Sequence, residues 1–457
     1  MGDSTRKLFG TDGVRGVANV PPMTPETALA LGRAAAVMFP AGRGRTRILI
    51  GKDTRLSGYM FETAMAAGIV SMGGDVLLSG PIPTPGIAYL TVGMRADAGV
   101  VISASHNPFE DNGIKFFGGD GFKLPDEVEA RIERLLEDPS GLPEPATGRD
   151  FGRAHRIDDA VGRYCVHLKS QFPRNLSLDG LRIAIDCANG AGYKVGPMVL
   201  HELGADVVEL GVDPDGTNIN ENCGAMHPEA LARKVVELRC DMGLALDGDG
   251  DRAILCDEHG DVVDGDAILA ICARHMSETG TLKGGGVVGT VMSNFGLEVA
   301  LRRMNLQLLR TDVGDRYVVE QMQKGGFNLG GEQSGHLLFL DHSTTGDGIL
   351  SALRILEVML SGNRRLSDLA APFERFPQVV ASGKVREKPP LEALAGVQAA
   401  IRDAESTLGD KGRVNVRYSG TSALIRVMVE GADEGQVRRL AKQILDAAGE
   451  DGILALP

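Results

Sequence analysis

The stretch "RILIGKDTRLSGYMFETAMAAG", residues 47–68, runs from an apolar segment through a polar, glycine-bearing turn into a helix-like segment that continues to residue 73. Apolar runs follow at "VLLSG" (76–80) and "GVVIS" (99–103), so the order strand, loop, helix, strand predicts the βαβ units of a mixed, largely parallel sheet. The same order returns twice. "LRIAIDCANG" (181–190), "ADVVELG" (205–211) and "MGLALDGDGDR" (242–252) form a second set, with the amphipathic "HPEALARKVVELR" (227–239) among them. "GGVVGTVMSN" (285–294), "LQLLRTDVGDRY" (306–317) and "FNLGGEQSGH" (327–336) form a third. The last part differs, because "RVNVRYSGTSALIRVMVEG" (413–431) reads as a hairpin between helices at 394–409 and 434–449. Pro- and Gly-rich linkers near 139–152 and 372–390 complete the division. Three α/β domains, 1–152, 153–254 and 255–371, and a smaller α+β domain, 372–457, are expected.

A chain of 457 residues has room for several cores, and 43% apolar with 24% charged residues is ordinary globular usage. The 61 acids against 48 bases leave a formal charge of −13, which repels nucleic acid and gives anionic substrates no general attraction. Any phosphate site must therefore be built locally. No apolar run is long enough to span a bilayer and "MGDSTRKLFG" lacks the core of a signal peptide, so a cytoplasmic protein without membrane or nucleic-acid partners is expected. Six scattered cysteines without a C-x-x-C pair read as buried thiols.

The strongest chemical signal is "LALDGDGDRAIL", where Asp247, Asp249 and Asp251 alternate at the end of an apolar strand. Three carboxylates in one turn repel one another unless a cation intervenes, and all-oxygen ligation suits Mg²⁺ or Ca²⁺. An EF-hand is disfavoured: position six of the loop is Arg252 rather than glycine, and a strand rather than a helix precedes it. Arg252 beside the acids suggests charge balance in a phosphate-binding site. In "ISASHNPFEDNGIKFF" (102–117), Ser105 and His106 are chain neighbours whose side chains diverge, and no G-x-S-x-G elbow surrounds them. A serine that carries a phosphoryl group next to a metal loop is the better reading, against a simple turn. "GGEQSGH" (330–336) offers Glu332 and Ser334 for sugar hydroxyls and His336 for protons. "RYSGTSALIR" (417–426) gathers Arg417, Ser419, Gly420 and Thr421, the components of a phosphate cradle or of a plain hairpin loop. Arg15 in "GTDGVRG" and Arg55 in "GKDTRLSG" are either solvated turn charges or ligands of a common phosphate.

With "SASHNP", "DNGIKFF", "DGDGDR", "GEQSGH" and "R-x-SGT…LIRVMVEG" in this order, the sequence resembles the α-D-phosphohexomutase superfamily over essentially its full length. The resemblance implies a four-domain enzyme around a central cleft, with each domain supplying one loop. It implies that Ser105 is a phosphoserine, bound to one Mg²⁺ per chain together with Asp247, Asp249 and Asp251. Lys115 and His336 match general acid/base positions, and His106 and Arg15 support the phosphoserine. Arg252, Glu332 and Ser334 read the sugar, while Arg417, Ser419, Gly420 and Thr421 hold the phosphate that is not moving. The implied substrate is a phosphorylated hexosamine, glucosamine 6-phosphate converted to the 1-phosphate through a hexose 1,6-bisphosphate that also serves as activator, upstream of UDP-N-acetylglucosamine and cell-wall precursors. A monomer or homodimer is expected. A sister specificity for mannose or glucose phosphates, and a binding protein that has lost turnover, are the competing readings. Two departures motivate the second: Asp312 stands where lysine is usual, and Ser422-Ala423 where Glu-Pro follows the glycine-threonine pair.

Overall fold

A computed structural model describes residues 8–10, 12–39, 44–419 and 423–455. The chain divides into two compact units, one of Met1–Thr290 with Thr311–Ala371, the other of Val291–Arg310 with Pro372–Pro457. The fold is α/β with mixed sheets, as the strand–loop–helix repeats predict.

In the first unit, strand Arg47–Lys52 lies parallel to both Asp75–Pro81 and Ala98–Ile102, and the last of these pairs antiparallel with Asp111–Gly118. Buried Ile48, Ile50, Val76, Val100 and Ile102 fill the sheet against helices on its faces. Such continuous apolar runs are what a strand covered on both sides requires. "DNGIKFF" is therefore a strand, Asp111–Gly118, whose outer edge is covered antiparallel by Val14–Val17. Arg15 sits on that edge strand, not in a turn. A second sheet of this unit runs Val262–Val263, Ala253–Asp257, Met242–Leu246, Arg182–Asp186, Asp206–Leu210. A third contains Gly286–Thr290 parallel to Leu329–Gly331, which turns back onto Leu337–Phe339. The "DGDGDR" and "GEQSGH" loops thus both join antiparallel strand pairs, and the two are stitched together by an isolated bridge between Arg252 and His336.

In the second unit, Leu424–Gly431 lies between Gln378–Lys384 and Gly412–Tyr418, antiparallel to both, with helices Ala395–Leu408 and Glu434–Glu450 packed on it. The segment 291–310 belongs to this unit through specific anchors. Asn294 exchanges two hydrogen bonds of 3.0 Å with the backbone of Phe376, and the Phe295 and Phe376 rings meet edge to face at 5.2 Å. Arg413, ion-paired with buried Glu430, donates to the Val291 carbonyl at 2.9 Å.

All six cysteines are free, five of them buried, as expected from their scatter. No helix among the described residues is long and apolar enough to cross a membrane.

Helices Pro25–Met38 and Gly58–Ser71 approach backbone to backbone at two glycines: a Cβ on Gly68 would lie 2.2 Å from the Leu29 carbonyl oxygen, and one on Gly32 2.4 Å from that of Met65. Neither neighbour can turn away, because both contacts are main chain. Gly68→Ala should lower the thermal unfolding midpoint, at a cost of about 1–3 kcal/mol for overpacking. An unchanged midpoint would show that the helices separate freely.

Candidate active site

The serine loop begins where strand Ala98–Ile102 ends, and its shape is imposed by one buried cation. Arg55, fully enclosed, donates through its two terminal nitrogens to the carbonyl oxygens of Ser105 (3.0 Å), Asn107 (2.8 Å), Asp111 (3.0 Å) and Pro108. Its Nε donates to Asp53 at 2.8 Å, which leaves no donor for a substrate. Arg55 thus binds neither solvent nor a phosphate; it is the rivet of the loop. Asp53 also accepts from the Ser103 hydroxyl, which in turn accepts the Ser105 N–H at 2.9 Å. The rivet matters because Ser105 has a φ of +52°, a left-handed conformation that costs a non-glycine residue about 1–2 kcal/mol. Strain of this kind persists only where the surroundings over-determine it.

The metal loop is pressed against this serine. Ser105 Oγ donates to Asp247 Oδ2 at 2.6 Å, and Asn220 Nδ2 donates to the Ser105 carbonyl at 2.9 Å. Gly248 is required by the approach, because a Cβ there would sit 2.6 Å from the Ser105 carbonyl oxygen. Asp247, Asp249 and Asp251 are all buried and each offers an oxygen within 4.8 Å of the others. Burial, then Asp251 and Asp249, push the Asp247 carboxyl well above its ordinary range. Asp249 Oδ1 is buried and accepts no hydrogen bond, and Asp251 Oδ1, equally buried, meets His336 Nδ1 at 3.5 Å and Arg252 Nε at 3.9 Å. Clustered, dehydrated and with oxygen to spare, these carboxylates fit a hard divalent cation. Thr84 orients Asp249 with a 2.7 Å hydrogen bond from its hydroxyl.

Around the cluster the charges alternate. Lys115 Nζ lies 2.9 Å from Asp249 and 3.0 Å from Asp12; Lys123 pairs with Asp12 and, at 2.6 Å, with Asp315; His336 closes the circuit, with Nε2 3.4 Å from Asp315 and Nδ1 3.5 Å from Asp251. Burial alone would discharge Lys115, but Asp12 and Asp249 outweigh it and raise its pKa. His336 is likewise lifted to about 9 by Asp251 and Asp315 against the effect of burial. Its Nε2 also receives the Gly346 N–H at 3.2 Å, so the ring meets a donor suited to the neutral form and an acceptor suited to the charged one. His106, with Nδ1 3.4 Å from Ser105 Oγ, is driven down to about 4 by burial, then by Arg252 and Arg15, and stays neutral.

A cavity of about 400 Å³ opens beside these groups, lined by Arg15, His106, Arg252, Glu332 and His336 together with Asp12, Lys123, Asp251 and Asp315. Ser105 and Lys115 lie just beneath its wall, 1% and 2% exposed. Glu332 is oriented by the Gly314 N–H at 3.2 Å, whereas Ser334 is exposed and outside the lining. Asp312 is exposed too and does not line the cavity; the acid of "VGDRY" that does is Asp315. In the second unit Arg417 lies on strand Gly412–Tyr418, and Ser419 is buried with its carbonyl accepting from Lys388 at 2.6 Å; Gly420 and Thr421 lie outside the described residues.

Sequence reasoning misses Asp12, Lys123 and Asp315 as members of the site. A signal for Lys123 exists in the "GGDG" turn after "IKFF", which folds the chain back so that Lys123 bridges to Phe117. Asp12 and Asp315 belong to quoted motifs, but nothing in one dimension brings them together.

Arg55→Met should destabilise the protein by about 3–5 kcal/mol, because Asp53 is left buried without its cation. Denaturant unfolding, together with proteolysis of the 103–111 loop, reads this; wild-type stability would mean that the loop keeps its shape without Arg55.

Four phosphoglucomutase/phosphomannomutase models match the chain: α/β/α domain I at residues 6–140, domain II at 162–260, domain III at 264–376 and the C-terminal domain at 382–447. A Geobacter sp. (strain M21) protein named phosphoglucosamine mutase is 59% identical over 439 residues, covering 96% of this chain and 97% of its own. One of the same name from Anaeromyxobacter sp. (strain Fw109-5) is 59% identical over 445 residues, covering 96% and 95%. Among solved structures, a phosphoglucomutase/phosphomannomutase family protein from Burkholderia thailandensis superposes with a TM-score of 0.80 at 22% identity over 97% of each chain.

Proposed function

The chain belongs to the phosphoglucomutase/phosphomannomutase family, and we propose that it is a mutase interconverting glucosamine 6-phosphate and glucosamine 1-phosphate through a phosphorylated Ser105. The observation that carries the reading is Ser105 Oγ, 2.6 Å from Asp247, held in a strained loop against three metal-competent carboxylates at the edge of a cavity. The choice of sugar follows the name shared by relatives 59% identical to it.

In each half-reaction the bond between phosphorus and Ser105 Oγ breaks as a bond to a sugar hydroxyl oxygen forms, or the reverse. One proton leaves the hydroxyl and one reaches the serine oxygen, so a donor and an acceptor are both needed. Lys115 and His336 are suited to these roles: each is buried, hydrogen-bonding and already poised between carboxylates. One Mg²⁺ per chain, bound through Asp247, Asp249, Asp251 and the Ser105 phosphoryl group, would neutralise the transferring charge. His106, neutral beside Ser105, and Arg15, which donates to the Ala104 carbonyl at 3.3 Å, keep the loop in place. Arg252 and Glu332 face the cavity as ligands for phosphate and hydroxyl, whereas Ser334, expected to read a hydroxyl, is exposed outside the lining. Arg417, Ser419, Gly420 and Thr421 supply the guanidinium, hydroxyl and amide groups suited to a second phosphate. Hexose 1,6-bisphosphate is both the intermediate and the agent that restores the phosphoserine.

Phosphorus NMR with Mg²⁺ and a trace of hexose 1,6-bisphosphate, offering glucosamine, glucose and mannose 6-phosphates separately, tests the reading. Preferential formation of glucosamine 1-phosphate is expected; preference for another sugar would transfer the protein to a sister specificity. Ser105→Ala should abolish turnover while leaving the fold intact by circular dichroism, and turnover retained in that variant would remove the phosphoserine. Chelation should stop the reaction and added Mg²⁺ restore it, while Asp247→Asn should weaken metal binding measured by calorimetry.

A further inference from the structure

We propose that Lys123 is a positioning residue for both proton-transferring side chains, setting Lys115 through Asp12 and His336 through Asp315. The inference rests on the mutase reading for its kinetic consequences, though its geometry does not. Lys123 and Lys115 reach the same place by register. Strand Asp111–Gly118 carries Lys115 and Phe117 on one face, and the bridge between Phe117 and Lys123 puts the second lysine on that face too. The returning segment is fixed by the Gly118 N–H donating to the Phe122 carbonyl at 2.8 Å and the Gly121 N–H donating to that of Gly118 at 2.9 Å. Lys123 therefore points inward, 11% exposed at its side chain, with Asp12 on one side and Asp315, 2.6 Å away, on the other.

Each of these carboxylates has a further cation, and Asp12 has two, Lys115 and Arg15. Asp12 Oδ2 lies 3.0 Å from Lys115 Nζ, and Asp315 Oδ2 lies 3.4 Å from His336 Nε2. Lys123 holds Asp12 by Oδ1, the oxygen that Lys115 and Arg15 leave open, and shares Asp315 Oδ2 with the imidazole. Removing Lys123 would leave Asp12 Oδ1 without its cation, so that the carboxylate can turn about its contacts with Lys115 and Arg15, and would leave Asp315 Oδ2 to His336, with Oδ1 still accepting the Arg316 N–H. The contact of His336 Nε2 with Asp315 would then loosen, while the Gly346 N–H stays 3.2 Å from the same nitrogen. Lys123 lines the cavity, yet it acts through its neighbours rather than by a proton of its own.

Lys123→Met and Lys123→Arg, compared with wild type in the full chain, test this. Loss of an outer partner of this kind typically costs about 10–100-fold in activity, so Lys123→Met should lower kcat by that much in both directions. KM should change less than about threefold, because the loss falls on the transition state. Lys123→Arg, which can still span both carboxylates, should recover most of the loss. The ¹⁵N resonance of His336 Nε2, assigned with His336→Gln, should move in Lys123→Met and return in Lys123→Arg. A kcat within twofold of wild type, a KM increase that accounts for the whole loss, or an arginine variant no better than methionine would overturn the proposal. So would an unmoved Nε2 line, which needs no substrate. If Lys123→Met does not fold, Asp315→Asn keeps the shape and removes the charge, and the same Nε2 criterion decides. Wild type is assayed alongside on all three hexose 6-phosphates. Failure on glucosamine 6-phosphate overturns the sugar assignment, and the kinetic ratios are then taken on whichever sugar it converts.

Discussion

Mutual repulsion among three dehydrated carboxylates is the constraint to which the rest of the first unit answers. Asp247, Asp249 and Asp251 follow a fully buried strand and are themselves buried, and burial, then the other two carboxylates, push Asp247 toward its neutral form. Every nearby element supplies something that lessens the strain: a hydroxyl from Thr84 and from Ser105, an ammonium from Lys115, an imidazole from His336 and a guanidinium from Arg252. These donors come from four stretches of sequence, Ser105 and Lys115 sharing one and Arg252 belonging to the loop of the acids themselves. Closing the protein around the acids is thus the same event as assembling the site.

Opposite charges inside this unit are arranged as a circuit and not as isolated pairs. Isolated buried pairs gain little once desolvation is counted, whereas a shared partner fixes several side chains for one loss of freedom. Arg55 applies the same principle in another form: four carbonyl oxygens and a carboxylate converge on one guanidinium, giving a strained loop a rigid base without any regular secondary structure.

Much of this is legible in the sequence because it depends on local pattern. Apolar runs ending in glycine-rich polar loops give the parallel strands, and alternating aspartates at a strand end announce a cation site. The hairpin at 412–431 and its flanking helices are equally plain, since alternation and amphipathicity are both periodic. Strand Asp111–Gly118 is less so: it mixes Asp, Asn, Gly and Lys, poor strand formers that pairing on both edges overrides. Arg55 reads as a surface or phosphate-facing charge because its partners are main-chain oxygens, which no side-chain pattern reveals. Asp12 and Asp315 are about three hundred residues apart, and their common partner is visible only once the chain has folded.

The second unit is discontinuous: Val291–Arg310 is held to it through Asn294, Phe295 and the Val291 carbonyl, while the chain between Thr311 and Ala371 belongs elsewhere. On a ribosome this sets an order of events. Phe295 emerges first and lacks its aromatic neighbour until Phe376 has been synthesised, and the Val291 carbonyl lacks its donor until Arg413 has. The final quarter of translation therefore supplies the anchors of a segment made before it.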